Sequence, residues 1–177
     1  MSITSPFEML VALDDRCRRN SQGLPVNKSV TDEWVGIGFR IGDRALLAKM
    51  DEISEILPPP PTIRVPGVRF WVKGLSNIRG NLLPILDMKA FLDGNITETK
   101  KESRILVIDK QGLRAGLIVD EVYGLRRFKP DELKTEESTL TGTIKNYLAG
   151  IFDDSIRRWD VFSVEKLVKS DQFIRVV

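Results

Sequence analysis

Histidine is absent from this chain of 177 residues. That removes the side chain whose ordinary pKa suits proton transfer near neutrality, and with it the commonest transition-metal ligand. Cysteine is nearly absent too. Cys17 stands alone, so there is no internal disulfide framework, and a reducing cytoplasm is the expected setting. A structural zinc site would have to be carboxylate-only, a donor set zinc rarely takes. An excess of one charge is also missing: 27 basic against 25 acidic residues leave a net +2, too weak a field to argue for nucleic acid or an anionic membrane. No apolar run approaches the ~20 residues that span a bilayer. Glu8, Asp14 and Asp15 interrupt the short apolar run near the N-terminus, and no basic segment precedes it. Neither a signal peptide nor direct membrane insertion is expected. The glycine-lysine pattern of a phosphate loop, the spaced glycines of a dinucleotide fold and a serine nucleophile elbow are all missing. No catalytic residue, metal site or cofactor is assigned; only carboxylate or lysine chemistry stays open.

What is present is a 42% apolar fraction, enough for a soluble core. Ser5-Pro6-Phe7-Glu8 reads as a helix start, with Ser5 as cap, Pro6 in the first turn and Glu8 completing a capping box. Phe7, Leu10, Leu13 and Cys17 then form one helical stripe. It suits a helix packed on the body of the protein, or else a separate docking helix. Residues 20–28 read as a linker, so residues 1–30 form an N-terminal helix and linker ahead of a body at 31–172, with a tail at 173–177.

From Trp34 the period changes to two. Val35, Ile37, Phe39 and Ile41 point to one face, with Gly36, Gly38 and Arg40 on the other, as in a half-buried strand. Gly42-Asp43 turns the chain into Arg44–Met50. Ile53–Leu57 is a strand or a helical turn. Pro58 to Pro61 form a stiff, exposed connection, or a ligand for an aromatic groove. Phe70–Ile78 and Leu82–Leu86 flank the turn Arg79-Gly80-Asn81, which needs a positive φ at Gly80. Pro84 belongs at an edge or bulge because it lacks a ladder donor. Asp87 caps a short helix through Leu92.

The second stretch repeats the plan. Arg104–Asp109, Leu113–Asp120 and Val122–Phe128 read as strands, followed by a hairpin, Ile144–Phe152 with Ile156–Phe162. Ser163 caps a closing helix through Val168. Residues 34–92 and 104–168 each offer about five strands and a helical turn. The expected fold is mainly β: two small five-stranded barrels, one per half, which remove open edges by closure.

Two competing functions can be weighed from the residues. Asp120-Glu121 and Asp153-Asp154 are adjacent carboxylates, but neighbours on a strand face opposite ways, so a turn or solvated edge suits them better than a small hydrolase site. Arg126-Arg127 and Arg157-Arg158 lie near Phe128 and Trp159, a pattern that single-stranded nucleic-acid-binding barrels use. The interspersed acids and the balanced charge argue against it.

The run Val72-Lys73-Gly74-Leu75-Ser76-Asn77-Ile78-Arg79-Gly80-Asn81-Leu82-Leu83-Pro84-Ile85-Leu86-Asp87-Met88 resembles the signature hairpin of CheW-like coupling proteins. Phe39 to Asp43, Ala115 to Val122 and Tyr147 to Ile151 resemble further parts of that family. The N-terminal extension resembles the branch that serves type IV pili and twitching motility. The resemblance implies two SH3-like five-stranded barrels and a non-enzymatic cytoplasmic adaptor at membrane-associated receptor arrays. It would bind the regulatory domain of a CheA-type histidine kinase and the cytoplasmic tip of a methyl-accepting chemoreceptor. The partner-binding residues it points to are Asn77, Arg79 and Gly80 at the hairpin tip, Glu55 on the third segment, and Gly116. In the family the acid and arginine matching Glu55 and Arg79 sit close together. Exposed apolar candidates for the interface are Ile53, Ile56, Val119 and Val122, each of which would otherwise be core.

Overall fold

The computed structural model describes residues 7, 9–11, 14–16, 33–96, 98–136, 138–154 and 156–175. Residues 1–32 form one unit and residues 33–177 another. In the first, the described residues between 7 and 16 are helical (α1), and Phe7, Met9, Leu10 and Val11 are exposed. The Ser5 cap, Pro6, Glu8, Leu13, Cys17 and the linker at 20–28 lie outside the described residues.

The second unit is built from strands β1 (Trp34–Ile41), β2 (Arg44–Lys49), β3 (Ile53–Leu57), β4 (Val72–Ile78), β5 (Asn81–Asp87), β6 (Arg104–Lys110), β7 (Leu113–Val119), β8 (Glu121–Phe128), β9 (Leu148–Asp153) and β10 (Arg158–Phe162). Short helices α2 (Met88–Asp93), α3 (Val164–Val168) and α4 (Asp171–Ile174) complete it. Each half does supply five strands and a closing helix, but the sheets do not follow the halves. One sheet has the order β8-β1-β2-β10-β9 and the other β3-β6-β7-β5-β4. The second is therefore a continuous piece of chain inserted into the first. The two share one pattern. A central antiparallel pair, β1–β2 or β6–β7, meets a parallel neighbour, β10 or β5, which carries a hairpin partner on its far side.

This SH3-like, two-subdomain arrangement buries three apolar layers. Phe39, Ile41 and Leu46 of the first sheet meet Leu86, Leu106, Leu117 and Val119 of the second in a shared central core. Each sheet also curls around its own cluster: Leu47, Phe128, Phe152, Trp159 and Val161 in the first, Leu83, Ile85, Ile105, Val107 and Ile118 in the second. β1 is thus buried on both faces rather than half-buried as its period suggested. Gly38 makes this possible, since a Cβ there would come within 3.0 Å of the Trp159 ring. The caps form as expected. Asp87 Oδ1 accepts from the Ala90 amide at 3.0 Å, and Ser163 Oγ from the Lys166 amide at 3.2 Å. The expected tail instead begins with α4, which seats Phe173 in the central core against Phe91, ring centroids 5.3 Å apart. Burying such a ring contributes roughly 1.5–3 kcal/mol.

Hydrogen bonding leaves both sheets open, correcting the expected closure. Loops cover two of the four edges instead. Ile63, just after the prolines, bridges Leu75 of β4, and Lys134 bridges Ile151 of β9. Ser76 Oγ donates to the Pro61 carbonyl at 2.7 Å, fixing the proline run against β4. Pro84 lies inside the sheet, but β5 pairs with β7 only from Ile85 onward, so that side of Pro84 has no ladder to break.

Candidate functional site

Among the described residues the edges left uncovered are β3 and β8, and they flank one groove of about 350 Å³. Its walls are Ile37, Met50, Ile53, Ser54, Glu55, Ile56, Gly124 and Leu125. Met50, Ile56 and Leu125 are exposed, at 49%, 39% and 51%, a contiguous apolar surface that nothing in this unit covers among the described residues. Ile53, in the groove wall, is half-buried and leans on the central core, as does Val122, which lies outside the groove lining.

At one end of the groove stands the β4–β5 hairpin tip. Ile78 pairs with Asn81, leaving a two-residue turn of Arg79 and Gly80. Both have positive φ, 52° and 85°, the hairpin turn whose twist matches its strands. Glycine takes this conformation freely; at Arg79 it costs about 1 kcal/mol or more. Two contacts offset that cost. Asn77 Oδ1 accepts from the Gly80 amide at 2.8 Å, and Arg79 Nη2 meets Glu55 Oε1 at 2.5 Å. The expected proximity of Glu55 and Arg79 is therefore present, while Arg79 itself remains 77% exposed and open to a second partner.

Two candidate residues move away from the surface. Val119 is a core residue at 2% exposure. Gly116 is enclosed, and a Cβ there would lie 2.7 Å from Ile105 Cγ2 and 2.9 Å from Ile85 Cδ1. From Ala115 to Val119 the strand that carries them is buried on both faces, which encloses both residues within this unit. Met50 and Leu125, by contrast, were not anticipated. The run ending at Met50 and the alternation through Leu125 hinted at strand residues, but nothing local says that β3 and β8 meet at one groove.

The paired acids have structural duties. Asp120 Oδ2 accepts from the Gly42 amide at 2.6 Å, and Glu121 from Arg40 Nε at 3.3 Å. Asp153 pairs with Lys134 at 2.8 Å. Asp154 accepts from the amides of Ile156 and Arg157 and from Trp159 Nε1. That indole bond is the chief cause holding the Asp154 carboxyl below its ordinary value. Phe128 and Trp159, needed as stacking platforms for bases, are 7% and 1% exposed. Among the described residues no group of three or more acids or cysteines is arranged to hold a metal, and no helix is long and apolar enough to cross a membrane.

Comparison with known proteins fits this geometry. A family model described as the CheW-like domain matches residues 35–172. The chain is 39% identical over 174 residues to protein PilI of Pseudomonas aeruginosa, covering 98% of this chain and 97% of that one. It is 29% identical over 161 residues to chemotaxis protein CheW of Helicobacter pylori, covering 90% and 97%. The scaffolding protein TtCheW from Thermoanaerobacter tengcongensis matches with a TM-score of 0.69 at 19% identity, over 78% of this chain and 94% of that one; that likeness speaks for the fold. With the signature hairpin, the two-sheet topology and a family match across nearly the whole second unit, the chain belongs to the CheW-like family.

Proposed function

We propose that the protein is a non-catalytic adaptor that couples a methyl-accepting chemoreceptor to a CheA-type histidine kinase in a pathway controlling type IV pili and twitching motility. The observation that carries this reading is the groove between two uncovered strand edges, with Met50, Ile56 and Leu125 exposed beside the Glu55–Arg79 pair. An apolar ridge of a partner gains by burying such a surface, and a rim arginine adds register and specificity. Ile53 shapes the floor, Val122 packs on the central core, and Asn77 with Gly80 hold the tip. The similarity to PilI supports the pilus branch. TtCheW is itself a scaffolding protein, which is in keeping with a role without turnover. Work at membrane-associated receptor arrays follows from the same reading.

The test is co-purification of the full chain with a receptor tip and with a CheA-type regulatory domain, separately and together. Leu125→Asp and Ile56→Asp should each weaken at least one of these contacts by about tenfold or more, as a charge buried in an apolar seat would. They should leave the circular dichroism spectrum unchanged. A wild-type chain that binds neither partner would sink the proposal.

A further inference from the structure

On the opposite face of β8 from Leu125, two arginines lie over an aromatic pair. The Arg157 guanidinium sits 4.7 Å from the Tyr123 ring centroid and 5.2 Å from that of Trp159, and Arg126 sits 5.5 Å from Trp159. Tyr123 and Trp159 meet edge to face at 5.7 Å. Asp154, whose carboxyl the Trp159 indole chiefly and Arg126 in part hold below its ordinary value, forms no salt bridge with either guanidinium. Asp154 is occupied by the Ile156 and Arg157 amides and the Trp159 indole. Among the described residues neither Arg126 nor Arg157 forms an ion pair. Arg126 donates one bond, to the carbonyl of Leu125 at 3.0 Å.

A guanidinium resting on a ring uses its face and keeps its N–H donors in the plane, in a fork that matches a carboxylate. Stacking also holds the side chain in one place, so less conformational entropy is lost when a ligand is gripped. From this geometry we infer that Arg126 and Arg157 form a second docking surface, separate from the groove, that takes an acidic segment of a partner protein through its carboxylates. Ile156, 88% exposed at the tip of the same loop, offers an apolar contact beside them. Two cations make too small a patch for an anionic membrane, where each basic residue adds only about 1 kcal/mol. A nucleic acid would need ring faces to stack on, and the Trp159 ring already lies under guanidinium groups and is buried.

The experiment measures fluorescence anisotropy of a labelled glutamate-rich peptide with interspersed leucines, titrated with the full chain. The control peptide carries glutamine at every glutamate. The chain should bind the first and ignore the second. Arg126→Gln and Arg157→Gln should each weaken binding about tenfold, in line with losing a charge-assisted bond. Arg157→Lys, which keeps the charge but loses the fork, should weaken it several-fold. Leu125→Asp, in the groove, should leave it unchanged, so this surface and the adaptor reading fail separately. Circular dichroism confirms that each variant is folded. Equal binding of the glutamine peptide, indifference to Arg157→Lys, or tighter capture of phosphatidylserine vesicles or single-stranded DNA through the same arginines would overturn the inference.

Discussion

Arg79 reaches Glu55 across the open side of the second sheet: Glu55 lies on edge strand β3, and Arg79 in the turn carrying the opposite edge strand, β4. The ion pair spans the gap that backbone hydrogen bonds leave unclosed. An exposed pair of this kind is worth only about 0–1 kcal/mol. Arg79→Ala should therefore barely change the melting temperature while lowering receptor or kinase affinity clearly. Glu55→Arg combined with Arg79→Glu should recover part of what either single change loses. A double-mutant cycle on affinity reads this coupling, and simply additive losses would show that the two residues do not act as a unit.

Glu52 ties the second sheet to α3. It is 8% exposed, accepts from the amides of Val164 and Glu165 at 3.3 and 3.2 Å, and pairs with Lys110 Nζ at 2.9 Å. Glu52→Ala leaves two helix-start donors and a lysine unanswered, and should cost about 2–4 kcal/mol in a denaturant titration.

The same contact makes stability fall at high pH. Lys110 is raised above its ordinary 10.5, first by its hydrogen bond to Glu52. A raised lysine contributes its full share below its unfolded value and loses it as pH climbs through the folded one. Melting temperatures should thus drop more steeply above about pH 10.5 in the wild type than in Lys110→Met. Parallel curves would refute the assignment.

Asp154 gives the opposite sign. Its carboxyl is lowered from 3.8, chiefly by the Trp159 indole, so its contribution is present above that value and fades as pH falls through the folded one. Asp154→Asn should cost about 1–2 kcal/mol at neutral pH. The difference from wild type should shrink at the acid end of an unfolding series.

Gly116→Ala tests packing. The new methyl would press on Ile105 and Ile85 in the second sheet's own core, costing about 1–3 kcal/mol. Loss of partner binding in this variant should track loss of folded protein, as read by thermal melting. Weakened binding at full stability would mean that Gly116 touches the partner after all.

The local features were readable and the long-range ones were not. The Arg79-Gly80 turn, the Asp87 and Ser163 caps and most strands follow from residues a few places apart. The division into sheets depends on β1 finding β8 and on β2 lying parallel to β10, partners that no local pattern names. Splitting the chain at its midpoint was a natural consequence, and it separated β1 and β2 from the C-terminal strands they pair with. Val119 shows the same limit. Ala115 to Val119 is one apolar run after Arg114, as in a strand buried on both sides, but its sequence cannot say which face opens to a partner. Met50 and Leu125 went unnoticed because their groove exists only where two distant edges approach.

The insertion of one sheet within the other has a consequence in time. Every strand of the second sheet lies between Ile53 and Val119, so it can assemble while the C-terminal third is still being synthesised. The first sheet cannot, for β1 and β2 must wait for β8, β9 and β10. Until then they leave the ribosome with Leu47 and Trp34 lacking Phe128, Phe152, Trp159 and Val161 to pack against. A nascent chain is most open to aggregation and chaperone capture in that interval, and shortfalls in its production should trace to those two waiting strands.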